Sequence, residues 1–227
     1  MSRTRALSLA VLAAVAGTAL AGCKPEDFAA AGGQTGGQSS QPGGTAAAAP
    51  VPPSEAKTEL AALKIAVRGT MDGYSREKFP HWDKVDGNCD TREQVLKRDG
   101  KNVSVDAQCA AKSGTWVSAY DGETWTKSSD VDIDHMVPLG QAWISGAKSW
   151  TTERREQFAN DLVRPQLHAV TDNLNEQKSD KAPDQWKPPL VSYWCTYATD
   201  WIVVKANYGL TITVPEKTAL ETMLGKC

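Results

Sequence analysis

Beyond its N-terminal segment the 227-residue chain has no long apolar run, no CxxC pair, no internal repeat, only three histidines and no excess of either charge. With a mean hydropathy of -0.42, the missing apolar runs exclude a body built of membrane spans. The balance of 25 Lys and Arg against 27 Asp and Glu excludes both a histone-like polycation and an acidic solvating tail. Without CxxC pairs, and with His81, His135 and His168 away from ligand spacing, a structural zinc site is disfavoured. What is abundant is tryptophan, eight residues in a length that suits one domain with an appended tail.

The tail comes first. Arg3 and Arg5 precede an Ala-rich apolar run over 6–21 that is too short and too weakly apolar for a permanent span. It ends in Leu20-Ala21-Gly22-Cys23, which is similar to a bacterial lipobox, so residues 1–22 are expected to be a lipoprotein signal peptide and Cys23 its acylation site. A secretory peptide cut near Ala21, with Cys23 left as a thiol, is the alternative. Residues 23–56 read as a tether: the stretch is dominated by Ala, Gly, Gln, Ser, Thr and Pro, which bury too little surface to offset chain entropy. The folded domain is therefore expected over 57–227.

Setting Cys23 aside leaves Cys89, Cys109, Cys195 and Cys227, an even number in an exported domain, with three possible pairings. Cys89–Cys109 and Cys195–Cys227 are preferred because each brackets a local segment. The pattern of apolar residues predicts an α+β chain with little sheet: a helix over 55–67, a helix over 91–97 begun by Asp90 or Thr91, and a hairpin of 115–120 with 123–126 around Asp121-Gly122. A half-buried strand follows over 131–137, then helices over 140–145 and 152–161 and a strand over 167–171. A helix from about Asn173 must stop before Pro183, and two final helices cover 194–206 and 216–224.

Chemistry concentrates in two runs. Asp132-Ile133-Asp134-His135-Met136-Val137-Pro138-Leu139 sets a carboxylate beside an imidazole near a strand end, where one can bind a metal while the other accepts a proton. Alone, such a pair fits an ordinary hydrogen-bonded histidine equally well. Asn173-Leu174-Asn175-Glu176-Gln177-Lys178-Ser179-Asp180 sets Asn175, a hard neutral ligand, three residues from Lys178 on one helical face. Alone, that run fits a capped, solvated helix.

Together the runs resemble the ββα-metal nucleases of the HNH family, including the HNH domain of the RNA-guided CRISPR nuclease, in which a D-x-D-H-x-x-P strand precedes an N-x-x-K-S-D helix. The wider pattern, with Gly73-Tyr74-Ser75-Arg76, Cys89-Asp90-Thr91-Arg92, Phe158-Ala159-Asn160-Asp161 and Trp186, is similar to small exported HNH-type proteins of high-GC Gram-positive bacteria. The resemblance implies an α+β fold with a ββα-metal core, a preceding β-hairpin and flanking helices. It implies His135 as general base and Asp134 and Asn175 as ligands of one divalent cation, Mg²⁺ or another such as Mn²⁺. The family's middle Asn, which braces the loop between the two strands, is replaced here by Gln166.

Consecutive strand residues face opposite ways, so a strand end or a bulge is expected at Asp134 and His135. Lys178, Arg76, Arg92 and Gln166 are further candidates for substrate contact. Lys178 could equally pair with Asp180, and the two arginines could form structural salt bridges. Asp132 shares a strand face with Asp134 and can orient the site, whereas His81, His168 and most of the tryptophans read as structural. The expected activity is a metal-dependent endonuclease with little sequence preference, on DNA rather than RNA. It would act as a monomer held by its lipid at the outer face of the cell membrane, or secreted. The alternative is a catalytically silent binding lipoprotein on the same fold. The domain's formal charge of -2 requires its basic groups to be segregated in space if it is to bind nucleic acid.

Overall fold

The computed structural model describes residues 50–227; the expected signal peptide, Cys23 and the tether up to residue 49 lie outside the described residues. Helix α1 (Pro53–Ala62) opens with a proline where the first helical N–H has no partner to lose. It therefore starts inside the stretch expected as tether. It also stops at Ala62 rather than Val67, and Val67 is 95% exposed. Ala56 and Leu60 supply its buried face.

A short ribbon of β1 (Lys84–Asp86) and β2 (Cys89–Asp90) leads into α2 (Thr91–Asp99). The start of α2 is set by a reciprocal cap: Asp90 accepts from the Glu93 N–H, and Glu93 accepts from the Asp90 N–H. Strands β3 (Lys101–Val105), β4 (Ala111–Val117) and β5 (Thr124–Trp125) form an antiparallel sheet in that order. The anticipated hairpin is β4–β5, paired at Trp116–Trp125 and Val117–Thr124. Its connection is wider than a two-residue turn, because Ser118 bonds both to Glu123 and to Gly122, whose φ of 81° suits glycine. Strand β3 was not anticipated: Lys-Asn-Val-Ser-Val is almost wholly exposed and carries no buried alternation.

Strand β6 (Val131–His135) pairs antiparallel with β7 (Leu167–Thr171) in unbroken register, from Val131–Thr171 to His135–Leu167. Of the two alternatives at Asp134 and His135, the strand end is therefore observed and the bulge is not. Between the strands lie α3 (Leu139–Ile144) and α4 (Thr152–Ala159), and α5 (Asp172–Lys178) follows β7 without a loop. Helices α6 (Trp194–Tyr208) and α7 (Val214–Leu224) complete this mixed α+β fold. One apolar cluster gathers Phe79, Tyr120, Trp143, Phe158, Tyr197 and Trp201 among the helices; a smaller one joins Leu96 and Trp116 to Ile133 and Leu167. The β6–β7 pair thus lies between two cores, which holds its end in place.

Two disulfides close the fold, Cys89–Cys109 and Cys195–Cys227. The second joins the start of α6 to the chain end, and a buried pair in which Lys205 Nζ meets Glu216 Oε1 at 2.7 Å ties the end of α6 to the start of α7. The first spans a sequence separation of 20. Replacing both Cys89 and Cys109 by Ala is expected to cost about 3 kcal/mol through the freed loop. Thermal unfolding should show that as a Tm lower by about 6–12 °C.

Candidate active site

Asp134 is the second-last residue of β6 and only 5% exposed, and its carboxylate is met by two side chains. The Lys178 ammonium, itself 0% exposed at the end of α5, straddles it at 2.9 Å from Oδ1 and 2.8 Å from Oδ2. Lys178 also donates to the main-chain carbonyl of His135 at 2.8 Å. Tyr120, fully buried after β4, donates its hydroxyl to Asp134 Oδ2. Burial lowers the Lys178 pKa and Asp134 opposes that shift, while burial beside Asp134 raises the Tyr120 pKa well above its ordinary value. Lys178 is thus an internal counter-ion. This corrects both expectations for it: it cannot reach a substrate phosphate, and its partner is not Asp180.

Asp180 is used elsewhere. Its Oδ1 accepts from the Gly140 N–H at 3.1 Å, at the start of α3, and a Cβ on Gly140 would stand 2.5 Å from the Asp180 carboxyl carbon. The chain reaches that position through Ser179, whose φ of 47° turns it sharply out of α5.

His135, the last residue of β6, is held from two sides. Its Nε2 lies 2.9 Å from the carbonyl of Ala159 at the end of α4. A carbonyl can only accept, so Nε2 carries the proton and Nδ1 keeps its lone pair. Trp82 stacks on the ring, with centroids 5.8 Å apart and planes 30° apart, from a left-handed backbone with φ 64°. That conformation is costly for a bulky residue. Asn160 maintains it, donating to the carbonyls of Pro80 and Glu156 and accepting from the Asp83 N–H and the Thr91 hydroxyl. Burial pushes the His135 pKa down to about 3, with Arg76, Lys178 and His81 acting in the same direction, so the imidazole is neutral at pH 7.

Asn175 donates Nδ2 to Asp132 Oδ2 at 3.0 Å, which orients the amide and leaves its Oδ1 without a partner among the described residues. Gln166 is fully buried; its amide accepts from the Val137 N–H at 3.1 Å and donates to the Val137 carbonyl at 3.0 Å. It braces the segment after β6 and touches no solvent, which removes it from the candidate substrate contacts. Arg92 is half-buried on α2, donates to the Ser128 carbonyl at 3.3 Å and does not line the site. His168 stands opposite Asp134 on β7 and bonds the Pro165 carbonyl at 3.0 Å, a structural role as read from the sequence.

Asp134, His135, Asn175 and Arg76 line one cavity of about 400 Å³, together with Tyr74, Glu176 and Asp180. Its hard-oxygen donors, the Asp134 carboxylate and the free Asn175 amide oxygen, suit a divalent cation that keeps most of its water. Among the described residues no three His, Cys, Asp or Glu side chains gather into a metal cage. A cation there would be held by few protein atoms, the Asp134 carboxylate and the Asn175 amide oxygen, with Lys178 already neutralising part of the carboxylate charge. Sequence reasoning missed Tyr120 and Trp82, which carry no motif of their own. The Ala159 oxygen is main chain and leaves no side-chain signal.

The geometry is that of a domain presenting a neutral imidazole and a carboxylate to one solvent cavity. The chain belongs to the family of GmrSD restriction endonuclease C-terminal domains, whose model matches residues 90–223, so it carries an endonuclease-family domain. A protein of Arthroderma benhamiae described as an "Uncharacterized secreted protein" is 58% identical over 188 residues, covering 81% of this chain and 92% of that relative. No solved structure matches the chain.

Two outcomes follow from the buried groups. Lys178→Met leaves Asp134 buried without its counter-ion and is expected to cost about 3–5 kcal/mol in urea unfolding. Tyr120→Phe removes a single hydrogen bond and should cost about 1–3 kcal/mol. For His135 the native pKa is depressed, so between pH 6.5 and about 3 the unfolded chain binds a proton that the native fold excludes. Native stability therefore falls as pH drops below 6.5. From pH 7 to pH 5 the wild type should lose about 2 kcal/mol more than His135→Gln, with all other groups common to both.

Proposed function

We propose that the chain is an exported, metal-dependent endonuclease that hydrolyses phosphodiester bonds in DNA with little sequence preference. In this reading β6, β7 and α5 form an HNH-type ββα-metal core. The observation that carries it is His135, a neutral imidazole with Nε2–H tied to Ala159 and a lone pair on Nδ1, in the cavity shared by Asp134 and Asn175. The endonuclease family supports the same chemistry.

His135 Nδ1 takes the proton of a water as that water attacks phosphorus, and the Ala159 carbonyl stabilises the imidazolium that forms. Trp82 keeps the ring plane from turning, and Gln166 keeps the segment after β6 in place. Asp134 and Asn175 would hold the cation, with Tyr120 and Lys178 orienting the first and Asp132 the second. When bound, Mg²⁺ supplies neutralisation of the scissile phosphate and of the departing oxygen.

Export is supported by the N-terminal signal pattern, by two disulfides and by the secreted relative. Acylation of Cys23 rests on Leu20-Ala21-Gly22-Cys23 alone. A silent binding protein on the same fold is the second reading. Its favouring observation is that Lys178 and Tyr120 already occupy the Asp134 carboxylate.

Plasmid nicking separates the two. The protein should nick in Mg²⁺ and not in EDTA, and His135→Ala should lower turnover about 10²- to 10⁴-fold while leaving metal binding nearly unchanged. Asn175→Ala should weaken Mn²⁺ binding measured by calorimetry. Absence of nicking by a folded wild type that binds metal would establish the silent protein.

A further inference from the structure

Seven arginines lie among residues 50–227. Six have their guanidinium groups engaged: Arg68, Arg98 and Arg164 with carboxylates, and Arg92, Arg154 and Arg155 with main-chain carbonyls. Arg76 is the exception. It lines the cavity of His135, Asp134 and Asn175, and its terminal nitrogens meet neither a carboxylate nor a carbonyl among the described residues.

Its one bond sets its direction. Arg76 Nε donates to His81 Nε2 at 3.3 Å. His81 Nδ1 lies 2.8 Å from the Phe79 carbonyl, which can only accept, so His81 is protonated on Nδ1 and offers a lone pair on Nε2. The short helical turn Arg76–Lys78 is itself anchored: Phe79 is fully buried, and the Lys78 carbonyl accepts from Arg155 Nε at 2.7 Å. A guanidinium held by its Nε still presents the N–H groups of both terminal nitrogens, the fork that fits two oxygens of a phosphate. Glu176 and Asp180 on the same rim repel phosphate. Lys178 is buried and spent, so among the described residues Arg76 is the one lining cation able to receive an anion.

We propose that Arg76, positioned by His81, is the clamp for a backbone phosphate of the substrate strand. This deepens the nuclease reading and rests on it. Both residues lie before the family-matched stretch 90–223, so the clamp would be supplied from outside that stretch. The contact is to backbone rather than to a base, and it therefore discriminates little between sequences.

The test is oligonucleotide binding by the full chain, followed by fluorescence anisotropy of a labelled single strand in EDTA over a salt series. Plasmid nicking in Mg²⁺ runs in parallel. Arg76→Met should weaken binding about 10- to 100-fold. It should also make the dependence of log affinity on log salt shallower by about 0.7, one phosphate contact on a single strand. Arg76→Lys should restore part of the affinity, having the charge without the fork. His81→Ala should weaken binding less than Arg76→Met, and the double variant should bind no worse than Arg76→Met alone, because His81 acts through Arg76.

In Mg²⁺ the same order should appear in KM for nicking, and KM decides if binding in EDTA is too weak to follow. A folded Arg76→Met with wild-type affinity, salt slope and KM overturns the clamp while nicking by the wild type leaves the nuclease standing. Arg76-dependent binding without any nicking keeps the clamp and removes the nuclease. A wild type that neither binds nor nicks removes both.

Discussion

The ion pair between Lys178 and Asp134 is the constraint on which the site depends. Each charge is withdrawn from water, which is expensive, and the arrangement survives only because every remaining polar atom is used. Lys178 spans both carboxylate oxygens and the His135 carbonyl, Tyr120 covers Oδ2, and the Trp201 ring lies 6.0 Å from the ammonium. The pair joins the last residue of α5 to the end of β6. With that anchor made, Asn175, one turn earlier, meets Asp132, and Asp180, two residues later, meets the start of α3. The same economy has a cost for chemistry: a carboxylate partly neutralised by an ammonium attracts a cation less strongly than a free one. A weakly held metal is tolerable where the fixed geometry does the orienting.

A second constraint runs through Asn160. Its side chain makes four hydrogen bonds that bring the 80–83 loop, the start of α2 and the end of α4 together. Through them Ala159 faces Nε2 of His135 while Trp82 lies against the ring in its left-handed conformation. The tautomer of the histidine is thus decided by an amide that never touches it. Thr91 shares the task of holding that loop, donating its N–H and its hydroxyl to the Asp83 carbonyl.

The fold was legible where burial follows periodicity or where a cap is local. Strand β7 and the two final helices could be read directly, β6 was misplaced only at its end, and the structure has the preferred of three cysteine pairings and, of the two residues offered as starting α2, Asp90 as its cap. Strands β1 and β3 could not be read, since their residues are exposed and their pairing comes from neighbours rather than from an apolar face. Asp134, His135 and Asn175, grouped by motif in the sequence, line one cavity. The roles around them were not legible. Lys178 reads as a surface cation by type and spacing, and only tertiary structure turns it into a counter-ion. Gln166, one methylene longer than the residue it replaces, still reaches both main-chain groups of Val137.

For the proposed phosphate contact, net charge is a poor guide. A domain at -2 is unsuited to a polyanion only when its basic residues are counted as equivalent, and they are not equivalent. Arginines tied to carboxylates or carbonyls contribute little field beyond their partners, and a buried lysine on an aspartate contributes almost none. What an approaching phosphate meets is the local balance at the cavity: two repelling carboxylates on the rim, one uncommitted guanidinium, and the donor set for a cation. Such a site offers few ionic contacts to the strand proposed as its substrate. In the proposed nuclease, low sequence preference would have a physical origin, because a surface engaging one or two backbone phosphates would have no register along a groove from which to read bases.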